Sequence, residues 1–388
     1  MITAKVSDRG ARRVRSGHLW IYASDVVDRG LAQPGDVVHV ADPRGRTLGV
    51  AHYSSSSQIC LRMLHRRPCE VDREFIRKRL QAAVEYRRRV VAGTTAYRLV
   101  YGDGDLLPAL IVDRYGEYLV VQTLDQGMDR LRDDIVACLV EMLLPAGIVA
   151  RNDVPARRKE NLPLEVSVLH GTILPRVAIQ MNGLRFEADL LRGQKTGVFL
   201  DQRENYVAAA RHARGRALDC FTCTGGFAMH MASRCDSVEG VDSSPDALAA
   251  AEVNRRANDL ENVRFREANV FDLLTGYAAS GQRFSTVVLD PPAFAKSRQS
   301  LDAALRGYKE INLKALRLLE DGGVLITCSC SHHVSEAEFL EVVASAALDA
   351  DRRLRVLERR TQAADHPILL TLPETHYLKC LICEVVAE

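Results

Sequence analysis

The sequence predicts an α/β protein: a doubly wound, Rossmann-like parallel sheet in its second half, preceded by a small β-rich barrel and an α+β middle domain. Three observations carry this. From about residue 181 onward, short apolar strands alternate with helices of 3.6-residue period, the rhythm of parallel strands joined by helical crossovers. Four of these strands end on a polar side chain, Asp219, Asp242, Asn269 and Asp290, at the sheet edge where open α/β sheets bind ligands. The first seventy residues follow another rhythm, of short strands broken by turn residues. The expected domains are residues 1–70, 71–180 and 181–388.

A chain of 388 residues has ample material for more than one core, and 47% hydrophobic with 26% charged residues is an ordinary globular composition. No apolar run is long enough to span a bilayer, and the start Met1-Ile2-Thr3-Ala4-Lys5 lacks the apolar core of a signal peptide. The expected location is the cytoplasm, with no membrane partner. Ten cysteines fit a reducing compartment. The two C-x-x-C pairs, Cys220/Cys223 and Cys380/Cys383, lie far apart and in or beside strands, unlike zinc knuckles, so no metal is expected.

In chain order, Val37–Val40, Thr47–Ala51 and Gln58–Met63 read as strands separated by Pro34-Gly35-Asp36, Asp42-Pro43-Arg44-Gly45 and a serine run. Arg9, Arg12, Arg13 and Arg15 lead to Trp20, the only tryptophan; basic groups beside an aromatic ring suit phosphate and base contacts, although Trp20 reads first as core. This pattern resembles a PUA domain, a small RNA-binding barrel. Over residues 1–100 Lys and Arg outnumber Asp and Glu 19 to 9, and beyond them they are outnumbered 33 to 41, which points a polyanion at the front half.

In the middle segment Asp72 is placed to cap a helix with the apolar stripe Ile76, Leu80, Ala83, Val84 and Val91. Arg98–Tyr101, Leu110–Asp113 and Tyr118–Gln122 read as strands, the last two joined through Arg114-Tyr115-Gly116-Glu117 as a hairpin. A helix from Leu131 to Leu144 and a strand Gly147–Ala150 follow. This module shows no chemistry of its own; it could serve a homodimer.

The last segment carries strands Arg216–Cys220, Ser237–Val241, Val263–Arg266, Thr286–Leu289 and Val324–Cys328, helices Pro245–Asn258 and Leu301–Leu319, and a late strand within 376–386. The fourth strand must stop at Asp290, because Pro291 and Pro292 have no N–H for a ladder. Gly225 and Gly226 after the first strand allow a sharp turn and a close ligand, but no G-x-G-x-x-G fingerprint is present, which excludes the usual dinucleotide dehydrogenase. An acid at Asp242, followed by Ser243, suits ribose hydroxyls, and Asn269, followed by Val270, suits an adenine amine. Together the four strand ends suggest an adenosine ligand without bound phosphate.

At these residues the chain resembles the class I S-adenosylmethionine methyltransferases. The run Arg192-Gly193-Gln194-Lys195-Thr196-Gly197-Val198-Phe199-Leu200-Asp201-Gln202-Arg203, the Gly225-Gly226 loop, Asp290-Pro291-Pro292, Thr327-Cys328-Ser329-Cys330-Ser331, Asp365-His366-Pro367 and Tyr377-Leu378-Lys379 are similar to the bacterial 23S rRNA cytosine-5 methyltransferases. Asp105–Gly116 and the PUA-like front fit the same family, so the resemblance spans the chain. It implies S-adenosyl-L-methionine as cofactor, held by Thr196, Phe199, Arg203, Asp219, Phe221, Gly225, Asp242, Ser243, Asn269, Val270 and Asp290. It implies 23S rRNA, naked or in a large-subunit precursor, as partner. It also implies Cys330 as nucleophile, with Asp290 and Pro291 shaping the base slot.

That chemistry is sound from first principles. Carbon 5 of cytosine attacks a methyl sulfonium only after a thiolate has added to carbon 6. Cys330 is favoured over Cys328, which shares its face in an extended chain but lies deeper. Pro291 is followed by proline and alanine rather than the second cysteine of related enzymes, so the base that removes the carbon 5 proton is open; His366 and a water held by Asp290 are the candidates. Two rivals remain: an rRNA guanine-N methyltransferase on the same scaffold, and a non-catalytic RNA-binding ribosome-assembly factor.

Overall fold

The computed structural model describes residues 2–193, 197–295 and 298–387. Thr196, expected at the cofactor, and Lys195 lie outside the described residues. The chain divides into two compact units, residues 1–179 with 188–198 and 364–375, and residues 180–187 with 199–363 and 376–388.

The first unit holds two sheets. The six-stranded sheet runs in the order Trp20–Tyr22, Ile59–His65, Thr47–Tyr53, Val37–Ala41, Thr3–Val6, Val26–Asp28, and the five-stranded sheet in the order Val166–Gly171, Gly147–Arg151, Tyr118–Thr123, Leu110–Tyr115, Ala96–Tyr101. The hairpin expected through Arg114-Tyr115-Gly116-Glu117 is present with its turn one residue later: Tyr115 pairs with Tyr118 and Gly116 has φ +61°, a left-handed conformation that glycine supplies. Asp72 caps helix Arg73–Val90 by accepting from the Phe75 amide at 2.8 Å, a cap of about 1 kcal/mol. That helix buries Ile76, Leu80, Ala83 and Val84 in a core that also takes Val50 and Leu64 of the six-stranded sheet. The β-rich segment and the middle segment therefore share a core.

Trp20 is half-buried and donates its indole N–H to Asp103 at 3.1 Å. Three arginines of the basic cluster before it are paired: Arg9 and Arg13 reach the buried Asp25, and Arg15 reaches the buried Asp42, which Arg46 also holds.

The second unit is built on a seven-stranded sheet. Its strands are β1 (Gly215–Cys220), β2 (Cys235–Asp242), β3 (Val263–Glu267), β4 (Phe284–Leu289), β5 (Leu319–Ser329), β6 (Leu354–Arg360) and β7 (Lys379–Val385). Their spatial order is β3-β2-β1-β4-β5-β7-β6. The first five neighbours are parallel, and β7 enters antiparallel between β5 and β6. The helices are α1 (Arg203–His212), α2 (Gly226–Met231), α3 (Pro245–Ala257), α4 (Val270–Ala279), α5 (Leu301–Leu318) and α6 (Glu336–Asp349).

Side-chain alternation explains why the central strands read as unbroken apolar runs. Val287 and Leu289 enter a core with Leu273, Tyr308, Ile311 and Phe339 of α4, α5 and α6. Val288 points the other way, into a core with Tyr206, Ala209, Phe227 and Met231 of α1 and α2. Both faces are covered, so both parities must be apolar. Each such side chain contributes about 1.5–3 kcal/mol of burial. Among the described residues no helix is long and apolar enough to cross a membrane.

Candidate active site at the switch point of the sheet

The chain winds outward from β1 through β2 to β3, then returns to lay β4 on the other side of β1. The carboxyl ends of these strands open a crevice there. Asp219 and Cys220 close β1, Asp242 closes β2, and Asp290 follows β4 directly, its amide donating to the Cys220 carbonyl at 3.3 Å.

Asp219 is fully buried. Its Oδ2 accepts from the Thr222 hydroxyl at 2.6 Å and the Ala228 amide at 2.9 Å, while its Oδ1 has no partner among the described residues. Burial pushes its carboxyl up to about 7; the two donors oppose this, and the charges of Asp290 and Asp242 add to it. Three carboxylates thus converge on one crevice, an environment that favours a cationic ligand.

Between β1 and α2, Phe221, Cys223 and Gly225 take positive φ values of 62°, 49° and 87°. Two non-glycine residues in that region mark a loop held by its surroundings. The Cys223 amide donates to Asp242 Oδ2 at 2.9 Å, and the Ser244 amide to Oδ1 at 3.0 Å. A Cβ on Gly226 would stand 2.4 Å from the Tyr206 ring, so glycine lets the loop meet α1 at contact distance. Ser243 and Asn269 are exposed, Val270 is buried, and Phe199 and Phe221 are half-buried. Asn269 Oδ1 caps α4 by accepting from the Phe271 and Asp272 amides, which leaves its Nδ2 donors for a ligand. Arg203 opens α1 and is 2% exposed.

Asp290 is oriented by a polar chain that the sequence reading did not find. Gln202 Nε2 donates to Asp290 Oδ1 at 2.9 Å, Asn205 Nδ2 donates to Gln202 Oε1 at 2.7 Å, and Arg360 Nε donates to Asn205 Oδ1 at 2.9 Å. Gln202 and Asn205 are buried. The partners lie 88 and 155 residues apart in sequence, beyond any periodic signal. Nearby, the Tyr377 hydroxyl donates to Asp201 Oδ2 at 2.7 Å.

Cys330 follows β5. Its thiol donates to the Pro291 carbonyl at 3.9 Å, which brings the sulfur to the Asp290 loop. The next residue, Ser331, is tied down by a hydroxyl contact with Tyr308 at 2.9 Å and by the Ala295 amide at 3.2 Å. Cys328 is fully buried, pairs across the ladder with Cys380, and burial pushes its thiol well up. Of the two cysteines only Cys330 has any exposure. Lys379, at the start of β7, stood in the Tyr377-Leu378-Lys379 run without a role: it is 4% exposed and donates to the Ser331 carbonyl at 2.7 Å and the Tyr377 carbonyl at 2.9 Å. The signal available was a lone lysine heading an apolar strand. His366, by contrast, belongs to the first unit, buried against Asp365 at 3.1 Å and beside the Tyr101 ring.

These residues fit S-adenosylmethionine. A sulfonium cation matches the three gathered carboxylates, and the buried, unpartnered Asp219 Oδ1 is one polar atom short of satisfaction.

Comparison with known proteins agrees. Residues 4–66 match the model of a PUA-like domain, and residues 157–371 match that of an S-adenosylmethionine-dependent methyltransferase. The chain is 40% identical over 395 residues to the ribosomal RNA large subunit methyltransferase I of Shewanella frigidimarina, covering 99% of each chain. It is 40% identical over 380 residues to the protein of that name from Tolumonas auensis, covering 95% of this chain and 96% of that one. A crystal structure described as a methyltransferase complexed with SAH superposes with a TM-score of 0.87 at 21% identity, over 99% of this chain and 100% of the other, and shows the shared fold. The cofactor is S-adenosylmethionine, and the chain belongs to the S-adenosylmethionine-dependent methyltransferases, in the family of the ribosomal RNA large subunit methyltransferase I proteins.

Proposed function

We propose that this protein methylates carbon 5 of a cytosine in 23S rRNA through a covalent adduct with Cys330. The observation that carries the reading is the thiol of Cys330 resting on the Pro291 carbonyl of the Asp290 loop, at the edge where the cofactor residues converge. The relatives' shared name supports large-subunit rRNA as substrate, and the PUA-like front supports an RNA partner.

The Cys330 thiolate adds to carbon 6, and the C5–C6 π pair moves to carbon 5, making that carbon the nucleophile. S-adenosylmethionine, when bound, supplies the electrophilic methyl group. Asp290, held by Gln202, hydrogen-bonds the base edge near the exocyclic amine and ring nitrogen and favours protonation of the base as sulfur adds. The carbon 5 proton leaves to a water held by Asp290, and Cys330 departs as thiolate while the double bond re-forms. The flipped base stacks in the slot bounded by Pro291.

Methyl transfer from labelled S-adenosylmethionine to deproteinised 23S rRNA and to assembled subunits, with the product nucleoside identified, tests the reading. The expected product is 5-methylcytidine, lost in Cys330→Ala and retained in Cys328→Ala. A methylated guanosine, or turnover unaffected by Cys330→Ala, would overturn the thiol mechanism.

A further inference from the structure

A lysine ammonium buried to 4% exposure is costly unless an opposite charge or several oxygens receive it. Lys379 makes two bonds, both to carbonyls, of Ser331 and Tyr377. Among the described residues it makes no ion pair with a carboxylate. The nearest acids are otherwise engaged or exposed: Glu338 closes the capping box of α6 with Ser335, and Glu336 lies on the surface. One of the three N–H groups is left over.

The ladder fixes where that group stands. Lys379 pairs directly with Ser329, the last residue of β5, and its side chain reaches the carbonyl of Ser331. Cys330, the residue between, alternates to the other face, and the bond to the Ser331 carbonyl brings the ammonium to the strand end that carries it. Among the described residues, the titrating or charged groups that act on Lys379 are Cys330, His332, Glu336 and Glu338, with Tyr308 beside Cys330. Of these, the Cys330 sulfur acts most strongly on the ammonium in the direction of keeping it charged, ahead of Glu338 and Glu336. Burial pushes Lys379 down to about 8, so the ammonium persists at neutral pH.

We propose that Lys379 is the positioning residue of the nucleophile: anchored on the Ser331 and Tyr377 carbonyls at the strand end that carries Cys330, its ammonium is near enough to favour the thiolate. This rests on Cys330 being the nucleophile. A cation beside a thiol lowers its pKa, and the attacking species in addition to carbon 6 is the thiolate. The two carbonyl anchors also fix the turn that carries the sulfur, so the charge and the aim of the nucleophile come from one side chain.

The test is iodoacetamide alkylation of Cys330 in the full-length protein, followed site by site by peptide mass spectrometry from pH 6 to 10. The wild-type midpoint is expected below the roughly 8.5 of a free thiol. In Lys379→Met the midpoint should rise by about one unit, which slows alkylation about tenfold at pH 7 and leaves it unchanged at pH 10. Lys379→Arg, which keeps the charge, should restore most of the rate. Folding of each variant is checked by the rise in Tm on adding S-adenosylhomocysteine. A folded Lys379→Met with an unmoved midpoint, or a folded Lys379→Arg as slow as Lys379→Met, would overturn the proposal. If Lys379→Met does not fold, a wild-type midpoint at or above the free-thiol value does so instead. The assay needs neither RNA nor turnover. Retained methyl transfer in Cys330→Ala would therefore sink the nucleophile reading while leaving the alkylation shift to be read on its own.

Discussion

Asp219 orders the loop after β1 through two hydrogen bonds and keeps one buried oxygen without a partner among the described residues. Its carboxyl, raised to about 7, makes the fold pH-sensitive in a definite sense. A raised folded-state value means that the protonated form is the one the fold prefers. The contribution is complete below the unfolded value near 4 and is lost as the pH climbs through 7, at a slope of at most about 1.4 kcal/mol per pH unit. Asp219→Asn should flatten this dependence, seen as a smaller fall of apo Tm between pH 5 and 8 than in wild type. Gln202 has a different role: it orients Asp290 without being needed for cofactor charge. Gln202→Ala is expected to lower kcat by about 10–100-fold with little change in KM for S-adenosylmethionine, read by steady-state methyl transfer. Asp219 and Asp290 were legible in the sequence because each follows an apolar strand run. Gln202, Asn205 and Arg360 were not, since a hydrogen-bonded chain between remote segments has no period.

At the scale of elements, the loop 221–225 joins the sheet to α2 and α1 by close contact. Gly226→Ala would force the Tyr206 ring aside, and overpacking of that kind costs about 1–3 kcal/mol. The expected outcome is a lower Tm and a smaller Tm rise with S-adenosylhomocysteine. The central strands were read correctly in position because both their faces are covered. The expected start of β5 at Val324 was late: the strand begins at Leu319, where Glu320-Asp321-Gly322-Gly323 has turn composition yet continues from the Phe284 pairing through a register shift. β6, with the sequence Leu-Arg-Val-Leu-Glu-Arg-Arg, gave no strand signal because its ladder rests on one neighbour and its charged side chains stay at the surface. Cys330 could be singled out from sequence as the candidate nucleophile; the placing of Lys379 opposite Ser329 depended on an antiparallel pairing that only the fold supplies.

For the whole molecule, the basic excess of residues 1–100 shrinks once ion pairs are assigned. Asp25 and Asp42 absorb four arginines, while Arg12, Arg66, Arg67, Arg88 and Arg89 remain exposed. For the proposed RNA substrate, each phosphate contact adds about 0.7 to the slope of log K against log salt. Arg88→Ala with Arg89→Ala is expected to reduce that slope by about 1.4 in filter binding across a salt series if both touch the backbone.

The position of β7 has a consequence for how the chain comes to its final state. β6 is made before β7 yet cannot join the sheet until β7 lies beside β5, because β7 separates them. During synthesis, β5 therefore waits with an open, apolar edge, the kind of surface that chaperones guard and that aggregates when left alone. The strand that finally covers it begins with Lys379. With Lys379 as the proposed activator of Cys330, a half-finished sheet would carry an ordinary, sluggish thiol, and the reactive one would be made by the same event that seals the edge. Thiol reactivity would then mark completed molecules, sparing the nascent chain from modification while it is still exposed.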